Sequence, residues 1–390
     1  MKTSFLPKVM LACSAFVFFL LLAEGLLRLF WYLPYEGVPY QIDCPQGRPY
    51  APDRTYGFRL EPGSFEITIN GGLTYRATHT AEGYRATAPA HSQVLEAPVQ
   101  PLLFRSQSGT AWHASLRHGY GMTSLSSPRL RHGKHTQTHT QTHTQTHSHY
   151  FLTGCSFTYG MGVSDEQTFA WRLQQAFPGY RITNGGGPAY STVHALLQLR
   201  ELIEAGSPPD HFILCYLSFH DERNALTLRQ RQHFQNAFEN AERSARHSYS
   251  AARYPYARIE EGGPVLAFVP MDSLYGHLPL RRHSSIVNLW EEVRNDWLER
   301  RSGKAEVTRQ LVEAIYRLCC EHGIAFTLAL LDAGAPARDL QAYCEKAGIP
   351  VFEAAVDYEH PFLNNRPYDG HPNGLAHFLY FGKLYRLLAQ

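Results

Sequence analysis

The sequence predicts an α/β protein whose main domain is a three-layer α/β/α fold on a five-stranded parallel sheet. One N-terminal transmembrane helix and a small β-containing region are predicted to precede that domain. Three observations support this fold class: a long apolar stretch at the N-terminus, two alternating segments around an Asn-Gly-Gly turn, and apolar runs that alternate with helix patterns from Tyr150 onward. Strands alternating with helices of that length indicate a parallel sheet covered on both faces.

The first element is the apolar stretch at residues 9–23, whose only polar member is Ser14. Continued to residue 33, the stretch exceeds the roughly 20 residues that a bilayer span needs. We therefore expect a cytoplasmic stub at 1–8 and a transmembrane signal-anchor helix at 9–33. Glu24 and Arg28 are four residues apart and are expected to pair near the outer interface.

The charges before the span predict its orientation. Lys2 and Lys8 precede the apolar stretch, so the positive-inside rule places the N-terminus in the cytoplasm and the bulk of the chain outside it. The predicted location is single-pass in the inner (cytoplasmic) membrane, with the main domain in the periplasm. The alternative is a cleaved signal peptide with a small-residue site at Ala23-x-Gly25, but the apolar run continues through residues 26–30 and favours a retained anchor.

Residues 34–87 are predicted to form a small lead-in region that contains a β-hairpin. Apolar residues alternate before and after the turn Asn70-Gly71-Gly72, at Phe65, Ile67, Ile69, Leu73, Tyr75 and Ala77. Residues 88–149 show no sustained period and end in a His-Thr-Gln-Thr repeat over 135–147. Such a repeat cannot bury a core, so a disordered linker is predicted there rather than a loose metal site.

Composition narrows the function classes. The net charge is +2 with 36 basic and 34 acidic residues, so no nucleic acid or other polyanion is expected as a partner. The 7 cysteines form a sparse set without a CxxC pair, which predicts neither a disulfide framework nor a cysteine zinc site. Cys155, Cys215 and Cys319 lie in apolar patterns and are expected in the core. No metal and no cofactor is predicted.

The main domain is predicted to span 150–390. Its strands are expected at 150–153, 180–183, 211–219, 324–331 and 349–354, and its helices at 166–177, 192–205, 307–321 and 376–388. The polar segment 222–262 is interpreted as a helical excursion between the third and fourth strands. The segment 264–300 contains an apolar run at 265–269 followed by Trp290 and Trp297, and its structure is left open.

Ser156 is the candidate nucleophile. The run from Tyr150 to Gly160 reads as a buried strand that delivers Gly154-Cys155-Ser156 to the turn at its carboxyl end, where open α/β sheets bind their ligands. The simpler interpretation of an isolated Gly-x-Ser is a turn serine that caps the next helix. Three further segments, in order along the chain, favour the catalytic interpretation.

The glycines of Asn184-Gly185-Gly186-Gly187 follow the second strand and would let backbone N–H groups approach an oxyanion, although an ordinary turn would look the same. His220 follows the third strand and is expected either to donate to the oxyanion or to pair with Asp221 or Glu222. Asp369 precedes His371 by two residues, which suits a carboxylate that orients a general base. Together these residues predict a hydrolytic or acyl-transfer site.

These segments resemble the SGNH/GDSL hydrolase family, in the form of its membrane-anchored bacterial members. The matching blocks are Gly154-x-Ser156-x-Thr158-x-Gly160, Asn184-x-Gly186-x-Pro188 and Asp369-x-His371-Pro372-Asn373 with His377 beyond, and Glu82-Gly83-Tyr84-Arg85 is similar to the family's lead-in segment. The resemblance covers about 150–390 and implies a flavodoxin-like sheet. It implies that Ser156 is the nucleophile, His371 the base and Asp369 its orienting group, with the N–H groups of Ser156 and Gly186 as oxyanion donors.

Two positions depart from the family pattern. Cys155 stands where the family usually has Asp, and His220 stands where its third block normally has Asn. The predicted activity is a serine esterase that hydrolyses acyl esters, such as O-acetyl groups, of an extracytoplasmic glycan or lipid. The alternatives are an O-acyltransferase that acts on extracellular polysaccharide with the same triad, and a non-catalytic carbohydrate-binding module, which the two departures would favour.

Overall fold

The computed structural model describes residues 5–37, 40–89, 148–240 and 252–390. The predicted disordered linker with its His-Thr-Gln repeat lies outside the described residues, apart from its two ends. Within the described residues, the chain forms an N-terminal helix, a small β region and a larger α/β domain.

The N-terminal helix α1 spans Phe5–Leu29. Its segment Pro7–Leu29 has a mean hydropathy of 2.3, and none of its most apolar window is buried against the rest of the protein. By length and composition this helix can cross a membrane, and a signal sequence would have the same properties.

The lead-in region contains five short strands: β1 Ile42–Asp43, β2 Tyr50–Asp53, β3 Gly57–Leu60, β4 Gly63–Ile69 and β5 Leu73–His79. The predicted hairpin is confirmed, because β4 and β5 pair antiparallel from Gly63 opposite His79 to Ile69 opposite Leu73. Asn70 and Gly71 both have positive φ, at 48° and 66°, as the tight turn between twisted strands requires.

The main sheet has the predicted five parallel strands: β6 His149–Thr153, β7 Arg181–Asn184, β8 His211–Tyr216, β11 Ala325–Leu330 and β12 Val351–Glu353. Their spatial order is β7-β6-β8-β11-β12, and every pairing is parallel. β7 lies on one side of β6 and β8 lies on the other, so the direction in which strands are added reverses at β6. The boundary between β6 and β8 is therefore the switch point at which such sheets bind ligands.

Helices cover both faces of the sheet, as the three-layer prediction requires. The helices after β6 are α2 Ser156–Tyr159, α3 Phe169–Ala176, α4 Thr192–Glu204, α5 His220–Ala225, α6 Leu228–Asn240, α7 Ser285–Glu299, α8 Lys304–Glu321, α9 Ala335–Ala347 and α10 Gly374–Leu388. Along β8, Phe212 and Leu214 pack with α4, α8 and α9, whereas Ile213 and Cys215 pack with α3 and α10. Because successive side chains of a strand point to opposite faces of the sheet, β8 contributes to two separate hydrophobic cores.

The helical interpretation of 222–262 is wrong for its last part. Residues Arg253–Glu260 form β9, which pairs antiparallel with β10, Gly263–Pro270, over eight residues. Gly262 and Gly263 close the hairpin with φ of 106° and 124°, which residues other than glycine rarely adopt. The sequence leaves the structure of the apolar run 265–269 open. This run lies in β10, and pairing with it makes 253–260 a strand although that segment is polar in composition.

Buried histidines give a prediction about acid stability. Desolvation lowers the pKa of His79 and His149 to about 4 and that of His194 and His377 to about 3, and it lowers the pKa of His220 well below its ordinary value. Because the same side chains titrate near pH 6.5 when unfolded, the unfolded state binds more protons than the folded state below that pH.

The free energy of unfolding should therefore have its full value above about pH 6.5 and should fall as the pH drops from there towards about 3. Each histidine contributes up to about 1.4 kcal/mol per pH unit in that window. Urea unfolding midpoints measured across this range test the expectation. A free energy of unfolding that stays constant between about pH 7 and about pH 5 would show that these histidines are not buried as neutral groups.

Candidate active site

Ser156 lies directly beyond β6, at the switch point of the sheet. It begins the short helix α2, which Gly160 caps at its carboxyl end with φ of 87°. A Cβ atom on Gly154 would stand 2.7 Å from the carbonyl oxygen of Cys215 on the neighbouring strand, so only glycine allows this close approach. The serine is consequently held on a compact strand-to-helix turn and is 3% exposed.

Three side chains form a hydrogen-bonded chain at this turn. The Nε2 atom of His371 is 2.9 Å from the Oγ of Ser156, and its Nδ1 atom is 2.8 Å from Oδ2 of Asp369. Asp369 is buried, whereas the His371 side chain remains 22% exposed. With Nδ1 donating to the carboxylate, Nε2 presents its lone pair to the serine hydroxyl, which is the arrangement of a general base and its nucleophile.

The loop that carries Asp369 and His371 is fixed by asparagines. The backbone N–H of Asn365 donates to the carbonyl of His371 at 3.0 Å, and its side-chain amide donates to the same oxygen at 3.2 Å. Asn373 caps α10 by accepting from the N–H groups of Leu375 and Ala376. The histidine is therefore presented by a loop anchored at both ends.

The turn after β7 packs against α2, the helix that Ser156 begins. The side-chain amide of Asn184 donates to the carbonyl of Thr158 at 2.9 Å, and its Oδ1 accepts from the N–H of Gly186 at 3.1 Å. A Cβ atom on Gly186 would stand 2.4 Å from the N of Tyr159, so this glycine is pressed against α2. In the present arrangement the Gly186 hydrogen is engaged by Asn184, and donation to an oxyanion requires Asn184 to share or release it.

His220 begins α5 at the carboxyl end of β8 and is fully buried. Its ring lies 5.5 Å from that of Phe219, which in turn lies 5.6 Å from the ring of Phe157, the residue after Ser156. Within the described residues neither ring nitrogen of His220 has a hydrogen-bond partner. Desolvation and the charge of Arg223 hold the pKa of His220 well below its ordinary value, so the ring is neutral and carries one unsatisfied N–H.

The alternative in which His220 pairs with a neighbouring carboxylate is wrong. Asp221 accepts from the hydroxyl of Tyr216 at 2.7 Å, and Glu222 pairs with Lys304 at 3.1 Å. A buried polar group without a partner is costly, so the N–H of His220, which is unpaired among the described residues, destabilises the folded state as it stands.

The unsatisfied N–H predicts the kinetics of a His220 series. If it donates to the oxyanion, His220→Ala should lower kcat by about 10²–10³, the usual effect of losing one donor. His220→Asn should recover much of that loss, because its amide presents a donor at a similar distance, and the longer His220→Gln should recover less. Steady-state kinetics of the three variants decide the point, and equal kcat in all of them would remove His220 from the site.

The lead-in region braces the segment that follows Ser156. Arg85, whose side chain is fully buried, donates to Asp165 at 2.7 Å and to the carbonyl of Val163 at 2.9 Å. It also donates to the carbonyl of Arg76 on β5 at 2.9 Å. Arg85 therefore joins the lead-in hairpin to the loop 160–165.

The same loop lies against the third member of the hydrogen-bonded chain. A Cβ atom on Gly162, whose φ is 82°, would stand 2.6 Å from the side-chain nitrogen of Asn365 and 3.4 Å from Oδ2 of Asp369. On the far side of Asp369, the hydroxyl of Tyr40 approaches Oδ1 at 3.4 Å. A cleft of about 660 Å³ opens there between the lead-in and the Asp369 loop, lined in part by Tyr40, Asn70, Arg366 and Tyr368.

The three cysteines that the sequence predicts in the core, and His377, are buried in the protein and do not join the hydrogen-bonded chain of Ser156. Cys155 is fully buried beside Cys215, and Cys319 is buried in the opposite core, as predicted. Burial raises the pKa of the Cys155 thiol, so it is held as a neutral core group next to the serine. His377 is buried on α10, where its Nδ1 accepts from the N–H of Phe169, and it does not join Ser156.

Sequence reasoning missed the contributions of Tyr40, Gly162 and Asn365. None of them lies in a segment with a chemical motif, and each reaches the site only through the packing of the lead-in or the final loop. Arg85 does lie in a motif, Glu82-Gly83-Tyr84-Arg85, but its ion pair with Asp165 spans about 80 residues of sequence and no local pattern indicates it.

The sequence matches no family model, and no curated protein matches it. Among solved structures, the chain is similar to a protein described as lipolytic and of the G-D-S-L family from Desulfitobacterium hafniense, with 12% identity and a TM-score of 0.32. It is also similar to a member of the lipolytic G-D-S-L family from Veillonella parvula, with 10% identity and a TM-score of 0.34. Each match covers 62% of this chain and 99% of the other. The order of the sheet strands, β7-β6-β8-β11-β12, defines the fold.

Proposed function

We propose that this chain is a serine esterase of the SGNH/GDSL type, with Ser156 as nucleophile, His371 as general base and Asp369 as the group that orients it. The observation that carries the proposal is the continuous chain from the Ser156 hydroxyl through both ring nitrogens of His371 to the Asp369 carboxylate, at 2.9 Å and 2.8 Å. The order of the motifs along the sequence supports the same family resemblance.

The proposed reaction begins with attack of the Ser156 oxygen on the acyl carbonyl carbon, while His371 Nε2 takes the hydroxyl proton. The carbonyl oxygen becomes an oxyanion that accepts hydrogen bonds from the Ser156 N–H and from the side chain of His220, with Gly186 as a further donor. His371 then returns its proton to the departing alcohol oxygen as the ester bond breaks. Water repeats the sequence on the acyl-enzyme, and it releases the acid and restores the serine.

Asp369 serves this cycle without being protonated itself. It keeps the proton of neutral His371 on Nδ1 and stabilises the imidazolium that forms during each transfer. Its burial, and the approach of Tyr40 from the far side, support a fixed orientation of this carboxylate.

The substrate class is proposed to be acyl esters of an extracytoplasmic glycan or lipid. Kinetics against a panel of short- and long-chain acyl esters, with and without acceptor sugars, test the proposal. We expect free acid as the product, with turnover that is independent of acceptor. Acyl transfer to the sugar at the expense of free acid would instead identify an O-acyltransferase with the same triad.

The location proposed for this activity is the outer face of the inner membrane, with α1 as the anchor. A reporter that is active only outside the cytoplasm, fused after Gln390, should be active, because Lys2 and Lys8 precede the span. Activity from a cytoplasm-only reporter at the same point would reverse the orientation.

A further inference from the structure

Helix α7 has the reverse of the usual amphipathic arrangement. Its buried face is polar: Glu291 and Asn295 are both fully buried. Its outward face carries Trp290, Val293 and Trp297, which are 63%, 52% and 52% exposed. At 3.6 residues per turn these three side chains fall within an arc of roughly 60°, so they form one stripe. A surface helix of a water-soluble domain normally places these two faces the other way round.

The buried carboxylate of the polar face is hydrogen-bonded inside the protein. Glu291 accepts from the Nδ1 of His277 at 2.9 Å, from the N–H of Leu278 at 2.6 Å and from the side-chain amide of Gln232 at 3.0 Å, and it pairs with Arg281 at 3.1 Å. Such a network fixes the rotation of α7 about its own axis, because turning the helix would leave the buried carboxylate without its partners. The tryptophan stripe is therefore held outward by the polar contacts on the opposite side.

The start of α7 is bound to the end of the anchor helix. The Glu24 carboxylate accepts from the N–H groups of Ser285 and Ile286 at 2.8 Å and 3.1 Å and from the Ser284 hydroxyl at 2.9 Å. Arg28 pairs with Glu24 at 2.7 Å and donates to the carbonyl of His283 at 2.8 Å. Glu24 thus satisfies the free N–H groups of the first turn of α7.

The chain beyond the anchor stays beside the same helix. The carbonyl of Leu33 accepts from the side-chain amide of Asn288 at 3.1 Å, and the ring of Tyr35 lies under the guanidinium of Arg281 at 3.7 Å. The end of α1, where Leu29, Phe30 and Trp31 are exposed, therefore lies beside the first turns of α7.

We propose that the stripe of Trp290, Val293 and Trp297 docks into the lipid interface of the bilayer that α1 crosses. The occupant is the phospholipid surface, because α7 begins at the end of an anchor helix whose own apolar surface is unburied in the protein. Tryptophan favours this boundary, since its ring is apolar and its N–H can meet headgroups. The stacking of Arg301 on Trp297 at 3.8 Å adds a cation at the same boundary. The proposal rests on the membrane anchor of the proposed function and not on the esterase chemistry.

The test uses the full-length chain reconstituted in phosphatidylcholine vesicles whose acyl chains carry bromine, a short-range quencher of tryptophan emission. All the proteins compared carry Trp31→Phe, because Trp31 lies at the end of the anchor and would itself be quenched. In this background the otherwise wild-type protein should be quenched strongly, and the Trp290→Phe/Trp297→Phe variant should lose most of the quenchable emission. Trp171→Phe is the matched control, because Trp171 is buried on α3, and its loss should leave the quenchable emission unchanged. Turnover of a water-soluble ester should be the same for wild type and the double variant.

Flotation of the vesicles separates failure of this proposal from failure of the anchor. A chain that does not float with vesicles contradicts the membrane anchor itself. A chain that floats but shows equal quenching in wild type and the double variant overturns the docking of α7. The docking is also overturned if the double variant dissociates an oligomer without any change in quenching, since the stripe would then cover a second copy of the chain.

Discussion

Alanine in place of Ser156 should reduce kcat for acyl-ester hydrolysis by at least about 10³-fold without unfolding the domain, which is the scale for removing a triad nucleophile. The hydroxyl of Ser156 bonds to His371, and within the described residues no observed hydrogen bond joins it to a backbone atom of the turn, so its removal leaves the backbone turn intact. Steady-state kinetics with a soluble ester, together with a thermal melt, measure both parts of the expectation.

His371→Ala should be as severe as Ser156→Ala, and the double variant should be scarcely worse than either single change. The two side chains act as one unit, because neither can perform its proton transfer without the other. Losses that add in the double variant would contradict the assignment of His371 as the base for Ser156.

Arg85→Met should destabilise the domain by about 3–5 kcal/mol, since it removes the buried partner of the Asp165 carboxylate and leaves it only the exposed Arg76 at 3.7 Å. Both side chains of this pair are nearly inaccessible, at 0% and 3% exposure. Because Arg85 holds the loop between Ser156 and Asp369, kcat of the folded fraction should fall as well. Urea unfolding monitored by fluorescence measures the loss of stability.

Two comparisons sharpen the Arg85 experiment. Arg258→Met removes an exposed pair with Glu260 and should cost less than about 1 kcal/mol. The Arg85→Met/Asp165→Leu variant removes both buried charges and should regain part of the lost stability. A loss for Arg85→Met no larger than that for Arg258→Met would mean that the lead-in does not brace the site.

The main fold could be predicted because its strands are nearly continuous apolar runs. β6, β8 and β11 are buried on both faces, so their sequences contrast sharply with the flanking turns. The strand β9 was missed because Arg253, Arg258 and Glu260 interrupt its pattern, and it becomes a strand only by pairing with β10. Tertiary pairing there overrides local composition.

The site was predictable to the extent that its chemistry is local in sequence. Asp369 and His371 lie two residues apart on one loop, and Ser156 follows a strand, so their approach could be expected from the sheet alone. The contact between Arg85 and Asp165 depends on packing between distant segments. The same holds for the N–H of His220, which is buried without a hydrogen-bond partner among the described residues. Helix α7 could not be predicted for a related reason: its buried face is polar and its exposed face is apolar.

The central claim is that Ser156 is an activated nucleophile, and labelling with a serine-directed fluorophosphonate tests it most directly. The wild-type protein should be labelled, and peptide mass spectrometry should place the phosphonyl group on Ser156. Ser156→Ala should not be labelled, and His371→Ala should be labelled far more slowly because the hydroxyl loses its base. A folded wild-type protein that resists the probe, or that carries it on another residue, would contradict the claim.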